Sequence, residues 1–505
     1  MITALQRALG LRPDADSFRT TYLWVALISV SALILTYTLF RTGTDYSVAL
    51  VIAAVPAILL VILVTPPERT LVAVLFVVVF LNVGNYSFLT FRADGEGQTA
   101  ALSPFLKVVR FPILAGVIIG ALLAYGGRYW DFVGRNADVI VLGFCALVSG
   151  AMGYNLATGI TYGAWFALAL VAALAYVLYH ASHGHEGMGM TRFARLMLWS
   201  NVLLIIFALA ALPNFDPSKS LALEGTFTAS NVHSFAASVV VGAALILAER
   251  EKDKWAGGSR AWIYFVIAVV AVGTMILGGR RSAMGGIAGA GVIWLFFLRP
   301  DATRSLNTYA QRVGIAIAIG VVIWAVLPSA TYTQMRISRG LGEYDGSTQS
   351  RIEIAKFGLL MWQQQPVTGL GLANAREASL QFGMQTEMAG YGLHNSYLAV
   401  LVEFGLLGTV AFLFIFFRSV WLWTQMERRS RAELAMIAIP TLLVCSTEYN
   451  LAPGQFMFWP FVLCILMPRV LLLTRATTAE VEEADRRFVH APQGHRPVVG
   501  VPPAG

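Results

Sequence analysis

The stretch HNSYLAVLVEFGLLG, residues 394–408, is where a long polar segment turns into a membrane-grade apolar run. Before it, the chain is polar from Ala330 to Asn395; after it, apolar residues carry on to Phe417. The junction sets a His, a Glu and several upstream Arg at one rim of a hydrophobic body, and a titratable group at such a water boundary is where chemistry is expected.

The rest of the chain says what that body is. Apolar residues make up 57% of the 505 residues and charged residues 13%, with mean hydropathy +0.67. That balance excludes an ordinary soluble domain and points to a polytopic membrane protein. A bilayer core of about 30 Å needs roughly 20 apolar residues of helix, and about fourteen runs of that kind follow one another between 22–40 and 456–473. The expected fold is an all-α, polytopic membrane helical bundle with one long outward loop bearing short helices. Its expected organisation is a cytoplasmic N-terminus at 1–21, a transmembrane bundle at 22–328, a periplasmic loop with amphipathic helices at 329–395, C-terminal spans at 396–473 and a disordered cytoplasmic tail at 474–505. The two runs either side of Thr158 and Gly159 are close enough to form one broken or re-entrant segment.

With the N-terminus inside and sides alternating, about two thirds of the 36 Lys and Arg fall in inward loops, the positive-inside bias. That alternation puts the 330–395 insert outside the cytoplasm. The net charge of +8 then reflects topology, with no call for nucleic acid as a partner. The N-terminal stretch lacks the apolar core and small-residue cleavage site of a signal peptide, so the first span is expected to stay as a start-transfer helix. Cys145, Cys445 and Cys464 lie within apolar runs without CxxC spacing and read as small buried hydrophobes rather than metal or redox ligands. His180, His183 and His185 in HASHGHEG read as a solvated inner loop. Matched halves of the kind found in many transporters are not visible in the sequence.

Four polar features fall on the outward face: Asn231 after GTF (225–227), Arg280 and Arg281 in GGRRSAMGG, Arg351 in the insert, and His394. The Arg280–Arg281 pair stands in a short turn against the charge bias. It is either an interfacial pair snorkelling to headgroups or a planar, permanently charged clamp for phosphate oxygens. From Arg351 to Trp362, the residues Ile352, Ile354, Ala355, Leu359 and Met361 suit an amphipathic helix along the interface. The following GLGLAN follows no strand, so it reads as a tight turn and not a dinucleotide loop. His394 is either a helix cap or a group for proton transfer. Glu403, nine residues on, lies roughly 13 Å deeper and half a turn around a regular helix, so the two are not expected to touch. As an intramembrane carboxylate, Glu403 either holds helices together through an ion pair or faces a wet cavity.

Taken together, GTFTASNVHS, GGRRSAMGGIAGAGVIWLF, Ser350-Arg351 followed by Trp362, Pro366 and G-x-G, and HNSYLAVLVEFGLLG resemble the O-antigen ligase and polysaccharide polymerase superfamily of bacterial envelope proteins. The last string is the most specific, with His394, Asn395, Leu398, Glu403, Gly405 and Gly408 in the family's H-N-x-x-L-x4-E-x-G-x-x-G pattern. The resemblance covers roughly 196–469. It implies a GT-C-like fold and a metal-independent, inverting glycosyltransferase that needs no cofactor. The donor would be a glycan on undecaprenyl pyrophosphate; the acceptor would be another glycan or lipid A-core, at the outer face of the bacterial inner membrane. Other envelope polysaccharide assembly proteins and membrane lipids are the implied partners.

On that resemblance, Arg280 or Arg281 together with Arg351 would bind the pyrophosphate, and Arg351 would also steady the charge growing on it. His394 would orient or deprotonate the acceptor hydroxyl, and Asn231, Glu403 and Asn395 would support the sugars. The span number and inner tail exceed those of many ligases, which favours a polymerase of exopolysaccharide, capsule or O-antigen units. A non-enzymatic transporter or flippase of lipid-linked saccharide is the competing class. It is expected to carry polar residues at mid-membrane on several helices, whereas here they gather at one rim.

Overall fold

The structure is a computed structural model that describes residues 114–119, 121–122, 125–181, 186–210, 231–252, 259–278, 283, 285–291, 346–381, 393–447 and 457–472. Arg280, Arg281, His183, His185, the expected spans before 105 and at 313–328, and both termini lie outside these residues.

Among the described residues every element is helical. In chain order they are α1 (Gly127–Arg135), α2 (Ala137–Met152), α3 (Leu156–Ala181), α4 (Glu186–Ala210), α5 (Asn231–Lys252), α6 (Ser259–Gly278), α7 (Gly346–Gln364), α8 (Ala375–Gln381), α9 (Ser396–Thr424), α10 (Arg428–Cys445) and α11 (Phe458–Leu466), which runs on into a short 3-10 turn (Met467–Val470). Two stretches, Leu156–His180 and Ser396–Thr424, are long and apolar enough to cross a membrane alone; α1 and α2 pass the same test only as a pair bent by 75°. The protein is an integral membrane protein.

The α2–α3 hairpin closes because small residues let the two backbones touch. A methyl added to Gly163 would lie 2.6 Å from the Ala146 carbonyl oxygen, and one on Gly143 3.2 Å from Ala167 Cβ. Gly150 and Gly159 face each other so closely that a side chain on either would strike the other's carbonyl. The break between the helices comes at Gly153–Asn155, and α3 runs unbroken through Thr158 and Gly159. The reason is local: Asn155 Oδ1 accepts the Thr158 N–H at 3.1 Å, so Asn155 starts the helix. His180 is not solvated. It is buried at the end of α3, with its ring edge-on to Tyr176 (4.2 Å) and Tyr179 (5.3 Å).

Ion pairs show which helix ends share a face. Asp138 at the start of α2 meets Arg418 near the end of α9 (2.8 Å) and Arg469 after α11 (2.6 Å). Glu433 at the start of α10 takes a bidentate pair from Arg250 at the end of α5, both bonds 2.7 Å, and a further bond from Arg429 at 3.1 Å. The starts of α2 and α10 and the ends of α5, α9 and α11 therefore lie at one end of the bundle, as alternating spans require. The start of α9 lies at the other.

α9 is not one regular helix. Gly405 has φ 63° and ψ −165°, which divides it into Ser396–Phe404 and Leu406–Thr424. The second segment, about 28 Å at 1.5 Å per residue, matches the bilayer core. Its exposed apolar stripe starts directly at the break with Leu406 and Leu407 and continues through Val410, Leu413, Phe414 and Phe417. The first segment shows no large exposed apolar side chain.

Candidate active site

The first segment of α9 is set by its cap. Asn395 is extended, and its Oδ1 accepts from the N–H groups of Tyr397 (2.9 Å) and Leu398 (3.0 Å). These are two of the helix's orphan donors, so Asn395 starts the helix and leaves His394 just outside it. His394 is half-buried, and the residue before it, Leu393, is buried. Leu393 and Leu398 close over α7 at Gly358, where a methyl would lie 2.9 Å from Leu393 Cδ2 and 3.0 Å from Leu398 Cδ2.

That contact fixes the register of α7. Further along, the carbonyls of Pro366 and Val367, just past its end, accept from Leu406 (2.8 Å) and Leu407 (3.1 Å). α7 therefore runs alongside α9 in the same direction. Arg351 precedes Gly358 by seven residues, two turns, so it lies on the same face about 10 Å further out. This puts Arg351 at the His394 end of the pair. The expected apolar stripe of α7 splits in two, because residues two apart in sequence lie about 200° apart on a helix. Ile354 and Met361 are buried against the bundle, whereas Ile352 and Leu359 are 42% and 43% exposed.

Asn231 opens α5, whose far end carries Arg250, so Asn231 starts from the His394 face of the bundle. α6 packs back along α5 and ends at Gly278 on that face, two residues before Arg280. Three of the expected positions, Asn231, Arg351 and His394, thus share one end of the molecule. Glu403 does not join them. It is the eighth residue of α9, 1% exposed, and Asn395 serves as the cap.

Below this rim a second arrangement appears that the sequence pattern did not disclose. The break at Gly405 frees backbone groups, and the loop after α7 satisfies them. Leu370 N–H donates to the Val402 carbonyl (3.0 Å), and Gly371 N–H to the Glu403 carbonyl (2.9 Å), while Leu406 and Leu407 donate back to the loop. Ser149 Oγ also donates to the Glu403 carbonyl. Gly369, Gly371 and Gly405 all take positive φ (74°, 86° and 63°), and a methyl on Gly369 would lie 2.5 Å from the Glu403 carbonyl oxygen. The α2–α3 turn joins in: Tyr154 N–H donates to the Leu370 carbonyl (2.9 Å), as does Asn374 Nδ2 (2.8 Å). GLGLAN is therefore a splice that holds a broken helix, and its glycines are the signal that was available in the sequence. Ser149 carried no signal of its own.

Residues 264–413 match the model of the O-antigen ligase family. Over that stretch the chain is similar to the O-antigen ligase family. The matched stretch runs from α6 to just beyond the break in α9, taking in Arg280, Arg281, Arg351, His394, Asn395 and Glu403 but not Asn231. The matched stretch thus contains both Arg351 and His394 at the rim of the candidate site and much of the splice beneath it. No curated protein sequence matches the chain. Among the described residues, no group of three or more His, Cys, Asp or Glu is arranged to hold a metal ion.

Proposed function

We propose that this protein is an O-antigen ligase-like enzyme that transfers a glycan from undecaprenyl pyrophosphate to an acceptor sugar, on the outer face of the bacterial inner membrane, as a polymerase of envelope polysaccharide repeat units or a ligase. The full bundle has about fourteen spans in a GT-C-like arrangement, with both termini cytoplasmic and the site periplasmic. The observation that carries this reading is that Arg351, His394 and the start of α5 lie at the same end of the bundle, the first two inside the matched stretch.

In the reaction, the acceptor hydroxyl attacks the anomeric carbon from the face opposite the pyrophosphate. A carbon–oxygen bond forms to the acceptor as the bond to the phosphate oxygen breaks, and the configuration inverts. The electron pair leaves on the pyrophosphate, where Arg351 and the Arg280–Arg281 turn hold the growing charge through bidentate hydrogen bonds. The acceptor proton passes to the imidazole of His394, the general base of the step. Asn231, Asn395 and Glu403 shape the surroundings in which the sugars sit; Asn395 acts through the helix start and Glu403 through the segment it anchors.

A test is reconstitution of the purified protein in detergent with undecaprenyl-pyrophosphate oligosaccharide and acceptor. Covalent product that is lost in Arg351→Ala and His394→Ala supports the enzyme. Donor binding without any covalent product would instead identify a carrier. Extended lipid-linked chains as product mark a polymerase, and transfer onto lipid A-core marks a ligase.

A further inference from the structure

The end of the bundle remote from His394 carries a charge imbalance for which glycan transfer has no use. Asp138 is gripped by two guanidiniums. Arg469 places Nη2 2.6 Å from Oδ2 and Nη1 2.9 Å from Oδ1, while Arg418 Nη1 lies 2.8 Å from Oδ1. Arg469 Nη1 also donates to Asn136 Oδ1 at 2.6 Å. Arg418 Nη2 donates to the Arg135 carbonyl (3.1 Å), and the Arg135 side chain reaches the Leu472 carbonyl (3.4 Å). Two guanidiniums thus share one carboxylate, and a third, that of Arg135, is held on the Leu472 carbonyl. Arg469 is fully buried, and its Nε has no hydrogen-bond partner among the described residues. Excess positive charge held against a low-dielectric wall attracts an anion strongly.

α1 provides an independent observation. It turns by 75° from α2, with Tyr129 and Phe132 buried against the protein and Arg128, Trp130 and Arg135 exposed. Seven residues apart, Arg128 and Arg135 fall about 20° from each other on the helix; exposed Asp131 lies on the same edge between them, so the edge carries two guanidiniums and one carboxylate. Trp130, 59% exposed, lies roughly 150° around the helix from that edge. Beyond Asp138, the packed helices α2 and α9 expose Val141, Phe144 and Phe417, 53%, 64% and 62% accessible. An apolar surface therefore continues directly from the basic corner.

We propose that Arg128, Arg135 and Arg418, with Arg469 behind them, bind the phosphodiester headgroup of an anionic phospholipid in the leaflet opposite the candidate active site. The acyl chains lie over Val141, Phe144 and Phe417. Free phosphate would meet the same guanidiniums but leave the apolar surface uncovered, so the lipid is the occupant.

The test uses the full chain in detergent micelles and reads no transfer activity, so it stands or falls separately from the proposed function. Native mass spectrometry counts phosphatidylglycerol against phosphatidylcholine retained from an equimolar mixture, and thermal unfolding reads stabilisation by each lipid and by inorganic phosphate. The wild type is expected to favour phosphatidylglycerol by roughly tenfold or more, from a gain of about fivefold for each arginine near an anionic headgroup. Replacing Arg128→Gln and Arg135→Gln together should abolish most of that preference. Neither residue bonds to Asp138, so the latch is left in place. If the double variant does not fold, the single exposed change Arg128→Gln should still lower the preference by about fivefold. Equal retention of the two lipids by the wild type, an unchanged preference in the Gln variants, or stabilisation by inorganic phosphate equal to that by phosphatidylglycerol each overturns the proposal.

Discussion

His394 and Asn395 stand side by side in the most informative stretch of this sequence, and the structure gives the helix cap to Asn395. A cap or a proton-transfer group was an open choice for His394 from sequence; the cap proves to be Asn395, which accepts from two backbone N–H groups. Asn395→Ala should therefore destabilise the protein by about 1 kcal/mol, while Asn395→Asp keeps the acceptor and stays near neutral. Thermal unfolding in detergent measures both, and equal losses would show that the side-chain oxygen does not cap the helix. At Arg351 the expectation concerns geometry: Lys preserves charge but not the planar fork, so Arg351→Lys should lower turnover by about tenfold or more if the pyrophosphate is held bidentately. Unchanged turnover in the Lys variant would leave Arg351 with charge alone as its contribution. The residue types of the site were legible because chemistry restricts them; their division of labour was not, because it depends on which backbone groups each side chain meets.

On the scale of the element, the broken helix α9 departs furthest from the reading of its periodicity. Apolar residues continue smoothly across Gly405, and hydropathy alone draws one uninterrupted span. The chain breaks there because the loop after α7 offers four backbone hydrogen bonds to the exposed ends and because three glycines tolerate left-handed backbone in close contact. Gly405→Ala forces a side chain onto a positive φ and toward the Gly369 N, 2.5 Å away, and should destabilise by at least about 2 kcal/mol. Ser149→Ala removes only one donor to the Glu403 carbonyl and is expected to cost about 1 kcal/mol. If the two variants prove equally mild in unfolding measurements, the splice is not a constraint on α9. Helix α7 teaches a related lesson: its apolar residues were visible, but their partition between Ile354 and Met361 inside and Ile352 and Leu359 outside follows from contacts with α9.

For the whole molecule, the ion pairs bring together helix ends hundreds of residues apart: Asp138 is 331 residues from Arg469, and Arg250 is 183 from Glu433. Removing the shared carboxylate by Asp138→Asn leaves buried Arg469 without its counter-charge and should destabilise by about 3–5 kcal/mol. The loss should appear in the unfolding midpoint, with turnover per folded molecule unchanged because His394 lies at the opposite end. A loss below about 1 kcal/mol would mean that water already reaches this pair. The membrane class and the candidate residues were readable directly from the chain, because hydropathy is a sum over neighbouring residues and the motif lies in one contiguous stretch. The break in α9, the loop that seals it, and the choice of Arg418 and Arg469 as partners of Asp138 came only with the fold. Those features are hydrogen bonds and ion pairs between segments far apart in the chain, and no local pattern of hydrophobicity encodes which distant donor will meet which acceptor.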